Sequence, residues 1–572
     1  MSTATSAVLL DEALTCLNRF DRPDLALTIV AGVLEREPSN PMAHSVAAMT
    51  ALRLGRLADA EAMIDRAVAI APDDSVLHRL RADILLLGDR FAEAIEALAE
   101  AARLDPGDAS TLVQLGGARL RAGDLGGAMA TFRAAVVLDP DNGNAHKQLV
   151  AFALDTRDLD TAADHYRALL RIDGQDPADH LIVAAPLRGV GEWCADHSAR
   201  YRVVARAVPA LIYPPRFFGD PPTAPVAVTR PETYVAEIPD ATVVGAESLV
   251  IAPDGLVLWD LAGLPGAERF DLAEGIVRYA EDGVALLDAR LSGAPTDATP
   301  PSEPIEAGIH MACFSSSNYY HCIVELITRF AALEALADPE LASLPLLVDE
   351  GCVAVPQLLE VIRVVAGTDR ELIQLRAGVA RRVRRLILPS SLSWMPNNQR
   401  DGMAPEPGDT HVSAEAIRYL RKRLVPPDVH LPERGTRRIC ILKPTSKRLQ
   451  NSGELADVAA EFGFQIVRPE SLSQADQIRL FAQADVIVGE TGAALTNILF
   501  APSRARIVVL VGDGWRWTIF SQIAAVIGQS MTFVVGRVTS EARKVCQSAF
   551  EIDHAQLRVA LTAVLAEGNA DG

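Results

Sequence analysis

Three polar side chains stand at helical spacing in the segment Asn318-Tyr-Tyr-His-Cys-Ile-Val-Glu-Leu-Ile-Thr-Arg-Phe330: His321, Glu325 and Arg329. At about 100° per residue they share one narrow arc of a helix, with Ile323, Leu326, Ile327 and Phe330 on the opposite side. The preceding Ser315-Ser-Ser-Asn318 suits a helix cap. A histidine or a carboxylate so placed can take the proton from an attacking hydroxyl. An arginine beside it can orient the carboxylate or hold a phosphate. The same spacing also describes a solvated helix face with i, i+4 pairing, and spacing alone leaves both readings open.

A second group is basic. Arg434, Arg437, Arg438, Lys443, Lys447 and Arg448 crowd into fifteen residues of a chain whose formal net charge is −20. Those at a strand end can clamp a diphosphate leaving group, because fixed cations stabilise the negative charge that develops as a glycosidic bond to phosphate breaks. Such a clamp replaces a divalent metal, and the second half of the chain has no Asp-x-Asp, a pattern commonly used to hold a metal-bound nucleotide sugar. A cluster that merely solubilises the surface is the alternative. Nearby, Gly489-Glu-Thr-Gly492 stands between an apolar strand and the helix-like AALTNILF. Backbone amides at a helix start attract phosphate, and glycine permits close approach. Glu490 then faces ribose hydroxyls or is an exposed turn residue. The G-x-G-x-x-G spacing of a dinucleotide site is absent.

These residues need a scaffold, and the clearest rhythm runs from Arg437 to Gly512. Strand RRICIL, a helix near Ser452 to Phe462, strand FQIV, a helix beginning near Ser473, strand DVIV, the glycine turn, a helix and strand RIVVLV follow in order. Strands joined by short helices need crossovers, which predicts a parallel, doubly wound sheet. Ligands in such sheets bind beyond the carboxyl ends of the strands, where the loops Lys443 to Asn451 and Gly489 to Gly492 emerge. Upstream, the proline-rich stretch Tyr213 to Glu232 cannot continue a helix. Short β-branched runs follow, ATVVGAESLVI and GLVLWDL, with Asp254-Gly255 as a turn. The loop 295 to 304 (PTDATPPSEP) separates this strand-rich piece from the α/β part.

The N-terminal third is periodic. Pro38, Pro72, Pro106 and Pro140 fall 34 residues apart, as do Ala26, Ala60, Ala94, Ala128 and Ala162. Small residues let the second helix of each pair approach the first, and proline closes the pair. Val30, Ile64, Leu98, Phe132 and Tyr166 follow the alanines by four and complete the stripe. Period and pattern resemble the tetratricopeptide (TPR) repeat, five copies over residues 7 to 176, with Gly174 in place of the last proline. Such arrays offer a groove for peptides or proteins, or act as spacers.

At 572 residues, with 49% hydrophobic and 22% charged content, several globular domains are expected. The acidic balance argues against nucleic acid as a partner. The start lacks a basic leader with an apolar core, and no apolar run approaches the roughly 20 residues of a membrane span, so a soluble, cytoplasmic protein is expected. Seven cysteines without a C-x-x-C pair fit a reducing compartment and supply no zinc framework.

Together, NYYHCIVELITRF, KPTSKRLQNSGEL and GFQIVRPESLSQADQIRLFAQADVIVGETGAALTNILF resemble glycosyltransferase family 61 over about Thr233 to Val511. That group includes plant xylosyltransferases, an extracellular O-linked N-acetylglucosamine transferase and bacterial proteins linked to capsular polysaccharide. The resemblance implies a two-lobed GT-B fold, inversion, and a nucleotide-sugar donor held mainly by the C-terminal lobe. By position His321, Glu325 and Arg329 match the helix motif, Arg448 with Asn451 the basic loop, and Gly489, Gly492 and Asn497 the glycine turn. The family usually has histidine where Thr491 stands, glycine where Ala494 stands and tryptophan where Cys322 stands.

The expected architecture is a multidomain chain: an all-α TPR solenoid (1–180), a connecting segment (181–232), then an α/β GT-B-type enzyme with N-terminal (233–405) and C-terminal (406–572) lobes. The expected function is metal-independent, inverting transfer of a sugar to a saccharide hydroxyl, in surface or capsular polysaccharide synthesis. His321, Glu325 and Arg329 are the expected catalytic residues. Lys443, Lys447, Arg448, Asn451, Gly489, Glu490, Thr491, Gly492 and Asn497 are expected to bind the donor, with no cofactor beyond that co-substrate. Two alternatives stand beside it: a protein O-glycosyltransferase whose repeats capture polypeptide acceptors, and a non-catalytic adaptor with a vestigial transferase fold.

Overall fold

A computed structural model of the chain describes residues 5–260, 276–281, 283–291, 303–395, 406–443, 446–542 and 547–570. Most of the loop 295–304, together with Pro444, Thr445 and Cys546, lies outside the described residues. The chain divides into two units, Met1–Pro177 and Ala178–Gly572. Among the described residues no helix is long and apolar enough to cross a membrane.

The first unit is a run of consecutive helix pairs from Ser6–Asn18 to Leu159–Ile172. The alanine ladder is wholly buried, as are Val30, Ile64, Leu98 and Phe132, so the 34-residue stripe is the seam between paired helices. Each closing turn also starts the next pair. Asn40, Asp74, Asp108 and Asn142, again 34 apart, cap the following helices by accepting from the amides of Ala43, Val76, Ser110 and Ala145. A ladder not anticipated above adds to this. His44, His78 and His146 place Nε2 at 2.8, 2.7 and 3.0 Å from the carbonyls of Pro38, Pro72 and Pro140, tying each proline turn to the helix it precedes.

The second unit holds two large sheets. Its strands are β1 (His180–Arg188), β2 (Tyr201–Ala205), β3 (Val208–Ile212), β4 (Val226–Arg230), β5 (Thr233–Val244), β6 (Val250–Ile251), β7 (Val257–Leu258), β8 (Val277–Glu281), β9 (Val284–Leu291), β10 (Gly308–Met311), β11 (Leu346–Asp349), β12 (Leu372–Leu375) and β13 (Val379–Pro389). Then follow β14 (Arg437–Cys440), β15 (Gln465–Ile466), β16 (Ala484–Glu490), β17 (Arg506–Gly512), β18 (Ser530–Ser540) and β19 (Ala549–Glu551). The larger sheet runs β12-β11-β10-β13-β5-β6-β7-β1-β9-β8, with β2 beside β5, while β3 and β4 form a separate ribbon. Strands β10 to β13 are a parallel patch within it. The Asp254-Gly255 turn joins antiparallel β6 and β7, with Gly255 at φ 84°.

Residues 181–232, expected as a connecting segment, instead contribute sheet structure. The apolar run of β1 pairs along its length with β9 and, at its end, with β7, in a stretch that closely follows the last repeat. The proline-rich stretch lies against the smaller sheet, where the Phe218 amide donates to the Phe533 carbonyl and the Phe533 amide to the Arg216 carbonyl, both at 2.8 Å.

The smaller sheet has the order β15-β14-β16-β17-β18-β19, parallel except for β19. From β14 the chain crosses to one side, forms β15, then returns past β14 to β16, so the order reverses between β14 and β16. That is a topological switch point, where loops diverge and leave a crevice. Gly489 is required there by packing: a Cβ on it would lie 2.5 Å from Cγ1 of Ile441 and 2.8 Å from Cδ1. Gly489→Ala is therefore expected to cost about 1–3 kcal/mol through overpacking, read as a lower urea midpoint at unchanged slope.

Candidate functional site

The segment expected as one α-helix is not one. His321–Leu326 is a π-helix, with the Ile327 amide bonded to the Cys322 carbonyl at 2.9 Å, and an α-helix starts only at Arg329. The wider turn separates the three expected catalytic residues. His321 and Glu325 meet, Nδ1 to Oε2 at 2.8 Å, and both are nearly buried. The solvated-face reading therefore fails, because an exposed i, i+4 pair would stand in water. Burial pulls the His321 pKa down, but the Glu325 carboxylate and its hydrogen bond outweigh it, and the net shift is upward. Among the described residues Glu325 Oε1 has no hydrogen-bond partner.

Arg329 points elsewhere. Only 3% exposed, it donates to the Ala312 carbonyl at 3.4 Å and to Ser391 Oγ at 3.1 Å. The Ser391 amide donates to Asp260, which also accepts the Tyr234 hydroxyl. Arg329 thus ties the ends of β10 and β13, and in this structure it neither orients Glu325 nor faces solvent.

A neighbour that the sequence reading missed holds the loop leading into the π-helix. Asp349, 1% exposed at the end of β11, accepts the amides of Cys313 at 3.1 Å and Ala246 at 2.5 Å. Burial is the main cause that pushes its pKa up to about 6. The signal available was an acidic residue ending the apolar strand LLVD.

The basic group is likewise divided. Arg437 and Arg438 begin β14, and Arg438 donates to the Phe462 carbonyl at 2.8 Å, away from the crevice. Lys443, Lys447 and Arg448 follow the other end of the strand, the two lysines exposed and Arg448 half-buried. A strand advances about 3.3 Å per residue, so basic residues close in sequence fall at opposite ends of β14. Across the crevice the Arg448 guanidinium donates to the Thr491 carbonyl and, at 3.4 Å, to Thr491 Oγ1. Ser446 donates to Glu490, with its Oγ 3.0 and 2.9 Å from the two carboxylate oxygens. The loops after β14 and β16 are thus joined twice. Gly492 is extended and lies beneath Arg448, its virtual Cβ 3.4 Å from Nη2. The stretch Ala493–Phe500 that follows is a 3₁₀-helix rather than an α-helix.

Two expected donor ligands are otherwise engaged. Asn451 clamps Ile552 through both main-chain groups, donating to its carbonyl at 2.8 Å and accepting its amide at 3.3 Å. Asn497 is fully buried, accepts the Tyr319 hydroxyl at 2.8 Å and donates to Gln477 at 2.8 Å. Polar residues of short range in sequence look like ligands when their long-range partners are not visible.

The His321–Glu325 pair thus follows the parallel patch of the larger sheet, and the bridged crevice lies at the switch point of the smaller one. Residues 319–508 match the family Glycosyltransferase 61. Both joined loops and the His321–Glu325 pair lie inside this glycosyltransferase 61 domain. Tetratricopeptide matches over residues 17–84 and 85–151 precede it, in the order the sequence implied. No curated protein matches the chain. Among solved structures, MamA 41-end from Desulfovibrio magneticus RS-1 is 21% identical over 30% of this chain and 95% of its own, with a TM-score of 0.27. Pseudomonas aeruginosa PilF is 19% identical over 30% and 78%, with a TM-score of 0.28.

The upward shift of His321 gives the ion pair a pH signature. A group whose folded pKa is raised contributes stability that is complete below its unfolded value, near 6.5, and that is lost as pH rises through the folded value. Glu325→Gln removes the charge partner, so it is expected to lower the melting temperature more at about pH 6 than at about pH 9. Equal losses at both values would show that the pair is not ionised as described.

Proposed function

We propose that the chain is a GT-B-type, inverting, metal-independent glycosyltransferase that moves a sugar from a nucleotide-sugar donor to a hydroxyl of a saccharide acceptor, acting in the cytoplasm in surface or capsular polysaccharide synthesis. The observation that carries the reading is the Arg448 bridge to Thr491, which gathers a fixed cation and a turn of main-chain amides at the switch point of a parallel sheet. The glycosyltransferase 61 match over 319–508 supplies the reaction class.

In this reading the donor diphosphate lies against Arg448 and the amides opening the 3₁₀-helix at 493, with Lys443 and Lys447 at the rim of the same loop. His321 is the base. Glu325 accepts a hydrogen bond from Nδ1–H, which stays on the ring, and so leaves Nε2 to receive the proton of the acceptor hydroxyl, the arrangement by which a carboxylate orients and strengthens an imidazole. The acceptor oxygen then forms its bond to the anomeric carbon from the face opposite the phosphate. The anomeric C–O bond breaks, its electron pair leaves with the nucleoside diphosphate, and Arg448 and the helix amides meet the developing charge. Where related sequences usually carry histidine, Thr491 is buried and engages Arg448, so the guanidinium supplies the cation at this turn.

The expected outcomes are specific. Arg448→Ala should weaken calorimetric binding of uridine or guanosine diphosphate about tenfold or more, equivalent to about 1.4 kcal/mol. Glu325→Gln should bind the same ligand unchanged yet lower donor turnover by about 10² or more, with the acid limb of its pH profile moved down because His321 loses the partner that raises its pKa. Unchanged turnover in both variants would remove this mechanism, and no diphosphate binding by the wild type would leave the adaptor reading.

The repeats, proposed to bind a protein partner through their groove, are tested by removal. A chain lacking residues 1–177, one whole unit, should retain transfer to small saccharides. Loss restricted to polypeptide acceptors would instead mark a protein O-glycosyltransferase.

A further inference from the structure

The glycine turn and the His321–Glu325 pair stand on different elements, and a largely buried run of hydrogen bonds leads from one toward the other. Asn497 lies six residues beyond Thr491, in the 3₁₀-helix that the turn opens, and is 0% exposed. At roughly 2 Å per residue that helix carries it about 10 Å from the bridge to Arg448. Its Oδ1 accepts the Tyr319 hydroxyl at 2.8 Å and its Nδ2 donates to Gln477 Oε1 at 2.8 Å. The Tyr319 oxygen accepts from Gln474 Nε2 at 2.7 Å, and Gln477 Nε2 donates to the Leu472 carbonyl at 3.3 Å. Tyr319 stands two residues before His321. On its other side Tyr320 packs edge-on against Phe520, ring centres 6.2 Å apart.

The direction of each bond is fixed. Amide nitrogens only donate and amide oxygens only accept, so with Gln474 donating to it the phenol must give its proton to Asn497. Burial favours that protonated phenol by raising the Tyr319 pKa. This polar run sits among Ile323, Leu495 and Ile498, all fully buried, where apolar side chains would pack without a desolvation penalty. Such a run specifies one register between two elements, since displacing either leaves donors and acceptors unpaired.

We propose that Tyr319 is a positioning residue for the transfer reaction: through Asn497 it fixes the His321–Glu325 pair against the nucleotide-binding turn, so that occupation of the turn is transmitted to His321. The inference rests on the diphosphate reading of Arg448 and the 489–492 turn. A phosphate drawn onto the amides that open the 3₁₀-helix shifts that helix, and Asn497 carries the shift to the start of the π-helix.

The test uses the full chain labelled with [¹³Cε1]-histidine, the His321 resonance being assigned by its loss in His321→Asn. Uridine and guanosine diphosphate are the probes, and calorimetry establishes binding to each protein. In the wild type a bound diphosphate should shift the His321 resonance and its titration midpoint. In Tyr319→Phe binding should stay within about twofold, and the shift should be lost. A diphosphate that binds but leaves wild-type His321 unmoved overturns the proposal. So does an equal shift in the phenylalanine variant, which is what through-space electrostatics alone would give. If neither probe binds the wild type, the diphosphate reading itself falls and the coupling with it. Should Tyr319→Phe fail to fold, Gln477→Met, which frees the Asn497 amide from its fixed orientation, is read by the same criteria.

Discussion

The arginine that spans the crevice between β14 and β16 is the constraint on which the rest of the catalytic unit depends. In a sheet whose order reverses, the loops leaving the two central strands turn away from each other, and nothing in the sheet itself holds them at a set distance. Arg448 reaching Thr491, and Ser446 reaching Glu490, supply that distance from side chains. The consequence is that the Arg448 guanidinium is held in place by Thr491 before any ligand arrives, and on the proposed reading it is this fixed cation that a diphosphate would meet. Gly489 has a physical reason for lacking a side chain, because a Cβ there would run into Ile441 within the sheet.

The other half of the proposed site is the nearly buried His321–Glu325 pair, in which the carboxylate raises the His321 pKa against the pull of burial. Removing one partner of such a pair is costly when the other is left buried and charged. The π-helical turn is what brings them together while turning Arg329 toward Ala312 and Ser391. An inserted residue of this kind interrupts the regular i to i+4 bonding and is common at functional sites. Asp349 and Arg329 brace it from below, one through the amide of Cys313 and the other through the carbonyl of Ala312.

What the sequence made legible follows from what each signal encodes. The TPR array was readable because a 34-residue period repeats one local solution, and the alanine ladder is the seam it appeared to be. The alternation from Arg437 to Gly512 was readable because strand and helix periodicities are local, and all the strands fell where expected. The histidine ladder shares the period, but its partners are main-chain carbonyls of the proline turns, which a side-chain pattern does not display. The π-helix was not legible, because a one-residue change in winding leaves the apolar stripe almost unaltered. Local grounds make Asn451 and Asn497 donor ligands and Arg329 a catalytic residue, yet each is engaged by residues distant in sequence: Ile552, Tyr319 and Ser391. The basic cluster appeared as one patch because charge was counted along the chain, whereas a strand separates its two ends in space.

Charge also decides how an acidic protein can hold an anionic substrate. With a net charge of −20 the whole molecule repels a nucleotide diphosphate at long range. At physiological salt that field is screened beyond about 8 Å, so carboxylates scattered over the surface weigh little against groups in contact with the phosphate. Within contact distance the balance reverses. Lys443, Lys447 and Arg448 follow β14, and Arg448 reaches Thr491 at the turn before the 3₁₀-helix. On the proposed reading, affinity would then be tied to the geometry of the crevice rather than to the sum of charges.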